Sequence, residues 1–98
     1  MTQDAEGLPT RIQVTSTPEL EVGCYADFVG IWHQDTSFVL DFSVCTNPPQ
    51  LGHDEDGNHV LNIPARMTAR VRIPPAQVFE IMKALETQLS AWERETGR

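Results

Sequence analysis

The stretch Cys24–Cys45, CYADFVGIWHQDTSFVLDFSVC, constrains the fold more than any other part of the chain. It holds five of the seven aromatic residues and both cysteines. Residues 24–33 and 38–45 are rich in β-branched and aromatic side chains. Between them lies Gln34-Asp35-Thr36-Ser37, whose Asp and Ser favour a turn by bonding nearby backbone N–H groups. The pattern predicts a β-hairpin. A loop of two or four residues sets Asp27, Val29, Ile31 and His33 on one face with Phe38, Leu40, Phe42 and Val44. Cys24, Ala26, Phe28, Gly30 and Trp32 then share the opposite face with Val39, Asp41, Ser43 and Cys45; a three- or five-residue loop swaps the two sets. Both faces are substantially apolar, whereas a sheet wet on one side alternates cleanly. Each side of the hairpin therefore needs a cover.

One cover is legible further on. Pro74-Pro75 stops a strand and opens a helix, because proline in the first helical turn loses no intrahelical bond. Val78, Ile81, Met82, Leu85, Leu89 and Trp92 then recur at three- and four-residue steps as one apolar stripe. Gly97 suits the left-handed position past the helix end. Such a helix is ~33 Å long, enough to lie along a sheet as its main cover. Six side chains contributing ~1.5–3 kcal/mol each on burial make that stripe a large part of any core. The other face, with Phe28 and Trp32, is left for a second molecule, and Trp92 joins them as a candidate interface residue.

The remaining elements are weaker. Arg11-Ile12-Gln13-Val14-Thr15 alternates with period two and reads as a short strand ended by Pro18. Arg66–Ile73 is a better strand, with Met67, Ala69, Val71 and Ile73 on one side and Arg66, Thr68, Arg70 and Arg72 on the other. Residues 46–59 read as an exposed loop, through Asn47-Pro48-Pro49 and the charged run Asp54–Asn58, with a short edge segment at Val60–Ile63. The organisation expected is a flexible tail over residues 1–10 and a single domain over 11–98. Its class is α+β: an antiparallel sheet of three to five strands with one long C-terminal helix packed on one face. A chain of 98 residues holds one such core and not two.

The hairpin, the arginine strand and the helix together carry a resemblance. Tyr25-Ala26-Asp27-Phe28-Val29, Phe38-Val39-Leu40-Asp41-Phe42 and Ala69-Arg70-Val71, followed by Pro74 or Pro75 opening the terminal helix, resemble the small prokaryotic domain-of-unknown-function family numbered 3467. The likeness spans about residues 23–95. Asp27 stands where that family tends to have Asn, Ser37 where it tends to have Glu, and the loop at 46–65 is long. The resemblance implies the fold and names no activity.

Charge and motifs narrow the function. Fourteen acidic against seven basic residues give a formal charge of −7, which repels phosphate backbones and disfavours general nucleic-acid binding. No apolar run reaches the ~20 residues of a membrane span, and Met1–Pro9 lacks the basic start and apolar run of a signal peptide, so a cytosolic location is expected. Cys24 and Cys45 then read as packed thiols, although a two-residue turn at Gln34-Asp35 would oppose them directly. Asp41 among apolar neighbours needs a partner, which Arg70 or Arg72 supplies as a structural ion pair. The competing reading is an anion site built on Arg66, Arg70 and Arg72. His53, Asp54, Asp56 and His59 are metal-capable, but the spacing matches no defined ligand motif. No nucleophile elbow, phosphate loop or H-E-x-x-H is present, and no catalytic residue or cofactor is expected. The expected function is a non-enzymatic module that assembles with itself. The alternative is a chaperone-like peptide or protein holder using the apolar face or an edge strand, and a nucleic-acid accessory on the arginine strand ranks third.

Overall fold

The structure is a computed structural model and describes residues 7–97. Residues 1–6 of the expected tail lie outside the described residues; Gly7–Thr10 are exposed and without regular structure. Seven elements follow in order: α1 (Pro18–Val22), β1 (Phe28–His33), β2 (Phe38–Cys45), β3 (Gln50–His53), β4 (His59–Asn62), β5 (Ala65–Ile73) and α2 (Pro75–Thr96). The class is α+β, with a three-stranded antiparallel sheet β1-β2-β5, a two-stranded sheet β3-β4 and the long C-terminal helix.

The central hairpin forms with the four-residue break Gln34–Ser37, closed by the Gln34 N–H donating to the Ser37 carbonyl at 2.8 Å. Its register pairs Phe28 with Ser43, Ile31 with Leu40 and Trp32 with Val39. Partners across a ladder share a face, so the face assignment expected for an even loop holds. The hairpin's open end is tied by Asp27, whose N–H donates to the Ser43 carbonyl at 2.8 Å while its Oδ2 accepts the Cys45 N–H at 2.6 Å.

Three expectations give way. Arg11–Thr15 runs unpaired and exposed, with Ile12 and Val14 at 84% and 86% exposure, and joins no strand among the described residues. Residues 46–59 are not an irregular loop but contain β3, the turn and the start of β4. Asp54 makes that turn: its Oδ1 accepts the N–H groups of Asp56 and Asn58 at 2.9 and 2.8 Å, and Gly57 supplies the left-handed residue at φ +83°. A charged run that looks merely solvated is thus a specified hairpin turn. The two strands, QLGH and HVLN, are four residues each and too short to show an alternation.

The third correction concerns β5. Its register against β2 slips between Phe42 and Ser43: Phe42 pairs with Ala69, but Ser43 pairs with Met67. Thr68 is the extra residue of a β-bulge, its hydroxyl donating to the Phe42 carbonyl at 3.2 Å. One inserted residue reverses the sidedness of everything before it. Met67 therefore joins the Ser43 side and Arg66 the Val44 side, so the strand does not present one arginine face.

Helix α2 begins at Pro75 and ends at Gly97, which sits at φ +73° with its N–H donating to the Glu93 carbonyl at 2.8 Å. Both ends are as expected from proline and glycine chemistry. Its packing is partial. Val78, Ile81, Met82 and Leu85 face the sheet across an open cleft, while Leu89 and Trp92 run on with 55% and 47% of their surface exposed. Val39 is the only buried residue among those described. The chain exposes 8934 Å² with a radius of gyration of 20.3 Å. A compact monomer of this size exposes about 5,600 Å² and has a radius of roughly 13 Å.

Candidate interaction surface

The two faces of the β1-β2-β5 sheet are built from alternate residues of the same strands, and they differ in chemistry. On one face Val29, Ile31, Phe38, Leu40, Phe42 and Ile73 meet the first half of the α2 stripe across a cleft of 320 Å³ lined by apolar side chains. The cleft follows from period two in the strands and 3.6 in the helix, which set two apolar rows opposite each other. Its lining residues include no titratable group with which to move a proton.

The other face is a polar network over the buried Val39. Asp41 and Arg70 are direct partners in register. The Arg70 Nε–H donates to Asp41 Oδ1 at 2.6 Å and its Nη2 to Oδ2 at 3.0 Å, a two-pronged pair that suits guanidinium and carboxylate. Trp32, diagonal to Asp41 across β1, donates its indole N–H to Oδ2 at 3.0 Å, and the Arg70 guanidinium lies 5.6 Å from the Trp32 ring centroid. These bonds to Arg70 and Trp32 hold the Asp41 carboxyl below the usual carboxylate range, and the same pairing raises Arg70. Arg72 donates to the Gln34 side-chain oxygen at 2.8 Å, clamping the β1-β2 turn to β5. Val39 pairs with Trp32 on one side and Arg72 on the other, under the long stems that such residues spread over apolar surface.

The sequence candidates therefore separate. Asp41 and Arg70 come together as the register-fixing ion pair, and Arg72 joins the same face. Arg66 leaves it at the bulge, so the three-arginine anion site is not assembled. Phe28 and Trp32 share the face away from the helix and are 51% and 41% exposed, with the Trp32 N–H already used inside the chain. Trp92 lies on the distal half of α2. His53 and His59 are direct partners in β3-β4, their rings edge-on with centroids 4.6 Å apart. Asp54 is spent on the turn, and no group of three metal-capable side chains occurs among the described residues.

The cysteines do not oppose each other. The four-residue turn places Cys45 beyond the last paired residue of β1, next to Asp27, and Cys24 lies before the ladder; both are exposed free thiols. Partial desolvation of its sulfur and the neighbouring Asp27 carboxylate push the Cys45 thiol up, which lowers its thiolate fraction. Sequence reasoning missed the Asp27 clamp, because a bond from a side chain to a backbone N–H 18 residues away leaves no local signal. It also missed the cleft as an open feature, since the stripe predicts that the helix covers the sheet and not how closely.

A family model described as a protein of unknown function, DUF3467, matches residues 1–98, the whole chain. The chain belongs to the DUF3467 family. The match extends beyond the expected residues 23–95 and takes in the N-terminal segment. No curated protein and no solved structure gives a match. Among the described residues of this DUF3467 chain, no helix is long and apolar enough to cross a membrane.

Proposed function

We propose that this DUF3467 protein is a non-enzymatic assembly module that associates with copies of itself, closing its apolar cleft and the distal helix stripe in the process. One observation carries the reading: Met82, Leu85, Leu89 and Trp92 form a continuous helical stripe with 58%, 65%, 55% and 47% of their surface exposed. Exposed apolar patches beyond a few hundred Å² are rare on monomers and mark interfaces. The excess over a compact monomer is about 3,300 Å², several times the ~800 Å² that one protomer contributes to a standard interface, and part of it belongs to the exposed N-terminal segment. Sedimentation equilibrium at micromolar concentration tests it. A stable dimer or higher oligomer is expected, and a monodisperse folded monomer overturns it.

A second reading rests on the cleft itself. Its lining is apolar and its mouth is open, so an extended peptide of another protein fits the same surface, as grooves that hold apolar peptide anchors do. The two readings diverge in the assembled state. A self-closing module loses its affinity for an environment-sensitive apolar dye as it associates, whereas a holder keeps binding the dye at concentrations where it is fully assembled.

A further inference from the structure

We propose that the outer edge of β1 is a strand-addition site and that its occupant is Arg11–Thr15 of a second copy of this chain. The inference rests on the self-association reading and names a second contact, distinct from the helix cleft.

Three observations meet here. First, Arg11-Ile12-Gln13-Val14-Thr15 has the alternation and β-branched content of a strand, yet it is unpaired and outside any regular element, with Ile12 and Val14 almost fully exposed. Isolated strands do not hold themselves, because every backbone N–H and C=O then bonds only to water. Second, the order β1-β2-β5 leaves β1 at an edge, and among the described residues no backbone group bonds to its outer side. Third, the two edges of this sheet are unequal. β5 carries Arg66, Arg70 and Arg72, the charged decoration that discourages edge pairing. β1, FVGIWH, has no Asp, Glu, Lys or Arg over its six residues and is an unprotected edge.

Side-chain chemistry agrees with the pairing. Set beside β1 with Ile12 and Val14 in line with Val29 and Ile31, the segment widens the apolar face. Arg11, Gln13 and Thr15 then fall on the side of the polar network. Within one chain the segment is unpaired, whereas two copies offer two segments and two edges, so a reciprocal exchange about a two-fold axis satisfies both. The added bonds close the edge that otherwise invites uncontrolled pairing.

Backbone hydrogen exchange on the full-length assembled protein tests this. The amides of Ile12 and Val14, and those β1 amides that point away from β2, are expected to exchange on the order of ten-fold or more slower than unpaired amides. Val14→Pro, which removes a donor in a segment with no packing role in the single chain, is expected to release both sets together. In a Cys24→Ser, Cys45→Ser background, Val14→Cys on one copy mixed with Ile31→Cys or Val29→Cys on another is expected to give an inter-chain disulfide. A dimer in which residues 11–15 exchange freely overturns the proposal and leaves the assembly reading standing. Cross-linking only within a chain, found with Val14→Cys and Ile31→Cys on the same copy, places the segment on its own edge and also overturns it. A monomer overturns both.

Discussion

The two faces of one sheet depend on different things. The face around Val39 is closed by its own residues: Asp41, Arg70, Trp32, Arg72 and Gln34 bond to one another above the one buried side chain. The face around Leu40 has the larger apolar surface and the weaker closure, because α2 stands off it across an open cleft. Residues one step apart along β2 thus differ in whether their environment is complete within a single chain. Polar groups must be satisfied locally, since an unpaired one is costly wherever water is thin. Apolar surface carries no such directional demand and can wait for a second molecule. The helix lies over the face expected for it but leaves a cleft there, and the opposite face keeps Phe28 and Trp32 at 51% and 41% exposure beside its polar network.

Several measurements would break or sharpen that contrast. The largest effect is expected from the cleft side. Leu85→Ala removes a side chain that is 65% exposed in the single chain and should then be close to neutral. If a second copy buries it, the loss is about 2–5 kcal/mol, as at core positions. The readout is the urea midpoint and its dependence on protein concentration: a large drop with a steeper dependence is expected, and a neutral result removes the assembly reading.

Next comes the polar face. Arg70→Ala leaves the Asp41 carboxylate, whose side chain is only 16% exposed, without its main partner. A clear fall in the urea midpoint is expected, with the concentration dependence of assembly unchanged. If dissociation shifts instead, the polar face is part of the interface and the contrast fails.

Acid should act through the same groups. Bonds to Arg70 and Trp32 lower Asp41, and the Cys45 backbone N–H lowers Asp27, so both carboxyls hold protons less readily when folded than when unfolded. The unfolded chain then takes up more protons as pH falls, and stability must fall with it. The contribution is complete above the ordinary carboxylate range near pH ~4 and is lost through the lowered folded values. Asp41→Asn and Asp27→Asn should each flatten the midpoint-versus-pH curve in that acid window. An unchanged slope would mean that these bonds do not persist in solution.

The smallest effect is chemical. Cys45, raised by burial and by Asp27, should alkylate slowly at mildly alkaline pH, and Asp27→Asn should speed it. Mass-spectrometric labelling rates at the two cysteines read this directly, and equal Cys45 rates with and without the Asp27 charge would contradict the clamp.

Much of the fold was legible in residues with a strong local signal. Pro75 and Gly97 bound the helix, the β-branched and aromatic runs and the polar break Gln34–Ser37 set the hairpin, and Asp41 announced its need for a cation. What escaped had no periodic signature. The turn after β3 depends on one carboxylate accepting two backbone bonds, and the Thr68 bulge is a single extra residue that reverses Arg66 and Met67 without altering the apolar pattern on either side of it.

The sequence by itself determined the hairpin Cys24–Cys45 and the amphipathic helix, because side-chain periodicity follows directly from backbone geometry, while the observed four-residue turn decided which residues share each hairpin face. Tertiary structure alone decided which arginine meets Asp41, where Cys45 lies relative to Cys24, and that α2 leaves a cleft. Those outcomes turn on register and on the distance between elements far apart in the chain, which no local pattern encodes. The hairpin's two apolar faces both needed covers: long polar side chains lie over part of one, and α2 lies over the other across a cleft.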